Sequence, residues 1–288
     1  MQTDRANTTV EVPQLLVTDR RGRRLAILAT APDQGPGRVL ALDRDGRERW
    51  SRTLRWTPPR VTHAGNLIAA FQAATTWNDD GREAIALNVR DGNWSSTSIQ
   101  FLSADGESLG AYLHPGHLEF LGSGDIDGDG RVELVLNGKN NDATHDPAFW
   151  PAGDAPDDAY GECLLMLEPP QVNGQAFPAR RWVAQPAACE DAYLLLPPLT
   201  AAALADPRAT AITRIVFGRP RADGPARHEL YLADGRIYEL DRQLRPLSCS
   251  AGDHTPASGL VGARPASPLL HFHAGRVETI DLPVAKGR

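Results

Sequence analysis

The sequence predicts an all-β fold, a small or partial β-propeller of about five four-stranded blades, and three observations carry that prediction. Glycine and proline are frequent, 26 and 23 of 288 residues, without forming low-complexity runs. Punctuation at that density favours many short strands over long helices. The apolar runs between these breaks are short and bounded by turn residues, as strands are. A two-part pattern also recurs, a charged turn leading into an apolar run and then an Asp-Gly hairpin. The glycines of its first-half turns are 59 residues apart from Gly22 to Gly81 and 49 apart from Gly81 to Gly130. Repeats of this length with about four short strands mark propeller blades.

Residues 1–12 are polar and read as a lead-in or an edge strand, and 13–288 is expected to form one domain. The first unit opens with Leu15-Leu16-Val17-Thr18, a turn at Arg20-Arg21-Gly22-Arg23-Arg24, and Leu25-Ala26-Ile27-Leu28. Its hairpin comes next, with Asp45-Gly46 between the runs at 38–42 and 47–50, a strong two-strand signal. The second unit repeats both halves, at 77–87 and at 99–109 around Asp105-Gly106. A third first half begins at Gly124 and is answered by Leu164-Leu165-Met166-Leu167. The fourth unit runs from Ile212 to Asp241, and a degenerate fifth ends in 269–280. If the ring closes, the first strand must pair with the last unit, because closure is what removes exposed edges. The insert at 140–162 carries Pro147, Pro151 and Pro156 and is expected to be an irregular surface loop.

The third unit differs from the others in its acids. Asp125, Asp127, Asp129 and Glu133 stand at positions one, three, five and nine of the loop, with Gly128 and Gly130 between them. Hard oxygen ligands at that spacing suit calcium, which takes six to eight of them. Position seven is Arg131, whose backbone carbonyl would be the ligand. Four carboxylates inside nine residues repel one another without a cation, which favours a metal over a bare acidic turn. An EF-hand is excluded, since it needs a bidentate acid at position twelve and an exit helix, and position twelve is Leu136. The run Leu134-Val135-Leu136 reads as a buried strand instead. The equivalent places of the second unit hold Thr76, Asn78, Asp80 and Ala84, and the first has Arg21 and Leu25 at positions five and nine. Those turns are expected to be metal-free relatives held by Asx-type hydrogen bonds, so one ion is predicted.

Over 124–138 the chain resembles the FG-GAP or VCBS calcium repeat of integrin α-chain heads and many bacterial extracellular β-propellers, where such a loop joins two strands of a blade. The resemblance implies Asp125, Asp127, Asp129 and Glu133 as side-chain ligands of one structural calcium ion and Arg131 as a carbonyl ligand. Glu133 departs from the aspartate more usual at position nine.

A net charge of -6 argues against a nucleic-acid surface. No apolar stretch approaches the roughly 20 residues that span a bilayer, and no apolar core succeeds the first residues as a signal peptide requires. Of the 30 basic residues only Lys139 and Lys286 are lysine, a trace of a GC-rich bacterial genome. Cys163, Cys189 and Cys249 lack CxxC spacing, so no zinc cage is indicated, and one disulfide plus a thiol stays open. Cys163, inside an apolar run, reads as a small buried hydrophobe.

His114 with His117, and His271 with His273, are two spacings that a transition metal accepts, but neither has a third ligand. Ser123 lacks the Gly-x-Ser-x-Gly elbow of a hydrolase. Trp50 and Trp77 read as packing residues, whereas Trp94 and Trp150, in polar loops, suit contact with a ligand. The functional expectation is a monomeric, non-enzymatic binding or sensor module, periplasmic or secreted, whose loops meet a protein or glycan. The alternative is a propeller-based lyase or hydrolase with its site in a central channel, and fold alone decides neither.

Overall fold

The computed structural model describes residues 15–30, 38–54, 69–79, 82–91, 97–114, 116–140, 162–168, 181–182, 192–195, 212–218, 224, 226–232, 236–251, 269–273 and 276–280. These residues form four antiparallel sheets and no helix, as the all-β prediction requires. The chain gathers into two compact units. One holds Met1–His117 with Pro170–Arg181, the other Leu118–Pro169 with Trp182–Arg288.

In the first unit, β1 (Leu15–Thr18), β2 (Arg24–Thr30), β3 (Arg38–Leu42) and β4 (Glu48–Thr53) make a four-stranded meander. A second sheet contains β5 (Ala69–Asp79), β6 (Arg82–Asp91), β7 (Thr97–Ser103) and β8 (Ser108–His114), with β12 (Arg181–Trp182) outside β8. Alternation in β2 and β3 sends Leu25, Ile27, Val39 and Ala41 to one face. There they are buried with Ile85, Leu87, Val89 and Leu102 of the second sheet.

Four hairpins close through one turn design. In each, the N–H of the fourth residue donates to the carbonyl of the first, as Gly22 to Asp19, Gly46 to Asp43, Gly106 to Ser103 and Leu244 to Asp241, at 2.9 to 3.0 Å. The first residue's side chain then accepts the N–H of the fifth. Asp19 accepts from Arg23, Asp43 from Arg47, Asp241 from Arg245 and Ser103 from Glu107. The acid that holds the 43–47 turn is therefore Asp43, not the Asp45 of the Asp-Gly pair. For the first unit this bears out the expected Asx-type turn, since Asp19 also accepts the N–H of Arg21 at 2.9 Å.

The fourth position is left-handed, which glycine enters without steric cost. In the last hairpin Leu244 stands there at φ 59, and its side chain is fully buried. Burying a leucine offsets a strain of about 1 to 2 kcal/mol. Gly106 combines φ 82 with a neighbour on its open side. A Cβ there would lie 2.6 Å from the ring of Trp50, whose Nε1 donates to the carbonyl of Ala104 at 2.9 Å. Trp50 is thus the packing residue expected of it. Gly106→Ala is expected to lower stability by about 2 kcal/mol through overpacking and backbone strain, read as a shift in the urea midpoint at constant slope.

The second unit holds β9 (Gly116–Gly124), β10 (Glu133–Asn140), β11 (Glu162–Leu167), β13 (Ala192–Leu195), β14 (Ile212–Val216), β15 (His228–Leu232), β16 (Arg236–Leu240), β17 (Pro246–Ala251), β18 (Leu269–His273) and β19 (Arg276–Ile280). Strands β14 to β17 form a four-stranded meander, and the others form a six-stranded sheet in the order β19-β18-β13-β11-β10-β9. Residues Glu133 to Gly138 and the whole of β11 are buried, as a strand covered on both faces must be. Cys163 sits inside β11 as a fully buried thiol. Val135, Leu164, Met166 and Leu194 join Leu230, Tyr238 and Leu240 in one core.

Two expectations change. The fifth unit does not make a sheet of its own, because β13 pairs with β11 on one side and with β18 on the other. Four sheets of four, five, six and four strands stand where about five four-stranded units were expected. Among the described residues, the first strand pairs with β2 and the last hairpin with β13, so the ladder that ring closure needs is not among them. In the second sequence repeat, strand pairing continues to Asn78↔Glu83 and Asp79↔Arg82. Thr76 and Asn78 therefore lie in a strand and Ala84 in its partner, rather than in a relative of the calcium loop. Asp80, the insert after Asn140, Trp94, Trp150 and Cys189 lie outside the described residues.

Candidate metal centre

The acidic loop joins β9 to β10 in the six-stranded sheet. It leads into a strand rather than a helix, because Leu134-Val135-Leu136 is paired with Leu167-Met166-Leu165 of β11. The turn is made by glycines, Gly128 at φ 83 and Gly130 at φ 90, a region that side-chain-bearing residues enter at a cost. Each aspartate then caps the backbone beyond it. Asp125 accepts the N–H of Gly128 at 2.8 Å and of Gly130 at 3.2 Å, and Asp127 accepts that of Asp129 at 3.1 Å. Asp129 accepts the N–H of Arg131 at 2.7 Å.

The same wrapping turns carboxylates inward. One oxygen each of Asp125, Asp127 and Glu133 lies within 4.8 Å of the others. Two ligands on opposite sides of one calcium are at most roughly 5 Å apart, twice a Ca–O distance, so the three fit a single centre. No nitrogen or sulfur donor belongs to the group, and a donor set of carboxylate oxygens suits calcium or magnesium rather than zinc or copper. Asp129 is not in the group. Arg131 pairs its guanidinium with Glu168, a buried carboxylate just beyond the end of β11.

Glu133 is the deepest of the acids, 1% exposed, and its Oε2 accepts the N–H of Ile126 at 2.7 Å. Burial, the largest cause, pushes its carboxyl up to about 7. The charges of Asp127 and Asp129 push the same way, and the Ile126 N–H opposes them. Burial also raises Asp127, with Asp129 and Asp125 adding to the effect and Arg242 opposing it. Burial above all, with the neighbouring charges adding to it, disfavours the ionised carboxylates here, and a bound cation would offset both.

Ile126 is buried in the core that also holds Leu240 and Leu244. The loop is therefore anchored on the four-stranded sheet as well as on its own. Sequence reasoning missed Glu168, which partners Arg131, and His228 of β15, because both reach the loop from other strands. Neither His114 nor His117 belongs to the group. His114 is buried on β8 with its Nδ1 3.4 Å from the Tyr112 hydroxyl, and His271 and His273 occupy alternate positions of β18. Ser123 is an exposed residue near the end of β9.

No family model matches the chain, and no curated protein matches it. Solved structures similar to it include BBS1N in complex with ARL6DN, at 12% identity over 94% of this chain and 79% of that one, with a TM-score of 0.31. A mutant of the Synechocystis apocarotenoid oxygenase aligns at 12% identity over 82% of this chain and 64% of that one, with a TM-score of 0.27. BamB from Moraxella catarrhalis aligns at 13% identity over 92% and 85%, with a TM-score of 0.17. All three TM-scores lie below the range that marks a shared fold. Among the described residues no helix is long and apolar enough to cross a membrane.

Proposed function

We propose that this chain is a non-enzymatic binding or sensor module, built on a propeller-like scaffold of FG-GAP/VCBS character and stiffened by one structural calcium ion. The convergence of Asp125, Asp127 and Glu133 within 4.8 Å, at the head of a strand whose residues 133–138 are buried, supports this reading above all else. Calcium would be held by these three carboxylates, with Asp129 and the Arg131 carbonyl completing the set. It would supply charge neutralisation and a rigid start to β10. Sites of this kind suit the calcium-rich periplasm or extracellular space, where the module's loops would meet a protein or glycan.

Calcium titration with thermal melting tests the proposal. Calcium at a hundredfold excess over Kd is expected to stabilise the protein by about 2.7 kcal/mol, and EDTA to reverse the gain. Asp127→Ala is expected to erase the difference between the two conditions. A wild-type melting temperature that ignores calcium at millimolar concentration would refute the calcium assignment.

A further inference from the structure

His228 opens β15 in the four-stranded sheet and is 1% exposed. Its Nδ1 accepts the N–H of Gly218 at 3.2 Å, and the ring of Phe217 meets it edge-on at 5.6 Å between centroids. An imidazole that accepts at Nδ1 and is kept neutral by burial carries its proton on Nε2. That Nε2 is buried without a hydrogen-bond partner, an arrangement that costs about 1 to 3 kcal/mol wherever it persists. The carbonyl of Ile126 is the backbone group that acts on the ring. It favours the protonated ring, while Nε2 makes no hydrogen bond. Ile126 is flanked by Asp125 and Asp127, and its side chain is held in the core beside Leu230 of the same strand as His228.

We infer that His228 is a positioning residue for the calcium loop: its buried Nε2–H is completed by the Ile126 carbonyl when the loop closes on the ion, which couples metal occupancy to the four-stranded sheet. This role rests on the calcium reading of the loop. An orphaned buried donor beside a backbone carbonyl of a loop that has a metal to close around is a bond that binding can finish. Groups of this kind, which orient ligands without touching the metal, typically change metal affinity ten- to a hundredfold when removed.

Three proteins separate this role from mere packing. His228→Phe keeps a ring and loses both nitrogens, whereas His228→Gln keeps a donor where Nε2 stood. Calcium affinity by titration calorimetry and the melting temperature in EDTA are measured for both variants and the wild type. The expected result is a Kd about tenfold weaker for His228→Phe, largely restored in His228→Gln, with the EDTA melting temperatures departing from that order. In the wild type, calcium is expected to slow solvent exchange of the imidazole Nε2–H proton, seen by NMR. Equal affinities in the wild type and His228→Phe, or equal losses in both variants, would overturn the role of His228 and leave the calcium site standing. A wild type that binds no calcium would overturn both.

Discussion

In EDTA at about pH 8, Glu133→Gln protein is expected to melt above the wild type, and in saturating calcium below it. The reversal arises from the two states of one carboxylate. Without metal, the folded protein holds this group with its titration raised from the usual 4.5 to about 7. A raised acid costs nothing below its unfolded value. The cost grows as pH climbs from about 4.5 to about 7 and is complete above that, on the order of 3 kcal/mol at most. The amide keeps an oxygen for the Ile126 N–H and carries no charge, so it removes the cost. With calcium, the ionised carboxylate becomes a ligand, and the amide gives up the charge that binds it. Melting curves at about pH 5 and about pH 8, each in EDTA and in calcium, check both signs. If the variant is the more stable protein in every condition, Glu133 is a buried acid and nothing more.

Gly218→Ala, just beyond β14, is expected to be a strongly damaging single-methyl change, at about 3 kcal/mol or more. A Cβ at that position would overlap the carbonyl oxygen of Arg227. The obstruction is backbone, which has no rotamer with which to yield. The same peptide donates to Nδ1 of His228, so displacement of the strand also breaks the hydrogen bond that orients the imidazole. Chemical denaturation of the EDTA-treated variant measures the first effect. A loss under about 1 kcal/mol would mean that the two backbones part easily.

The strands themselves were legible because each reports locally. Apolar alternation around Val39 and Leu25, and unbroken apolar runs at 134–136 and 164–167, give class and face without knowledge of partners. The loop was legible for the same reason, since its ligands lie within nine residues of sequence. Pairing between distant segments was not. Nothing in Ala192–Leu195 announces that this strand is shared by β11 and β18, and a four-residue apolar segment serves equally well at an edge or in a centre. The second sequence repeat misled because Thr76 and Asn78 keep calcium-loop spacing, although the ladder between β5 and β6 extends through them. Asp129 illustrates a finer limit, because the spacing that makes an aspartate a ligand also makes it a cap for the N–H two residues ahead.

Among the described residues, the hairpin of β18 and β19 joins the rest of its sheet through the four residues of β13. A molecule trimmed before residue 269 would keep β11 and β13 paired but bare the far flank of β13, a row of open amide and carbonyl groups beside buried Leu194. Such a flank invites a second molecule to zip onto it. The tail thus doubles as a guard against self-association, and shortened versions of this chain would be made at the expense of solubility.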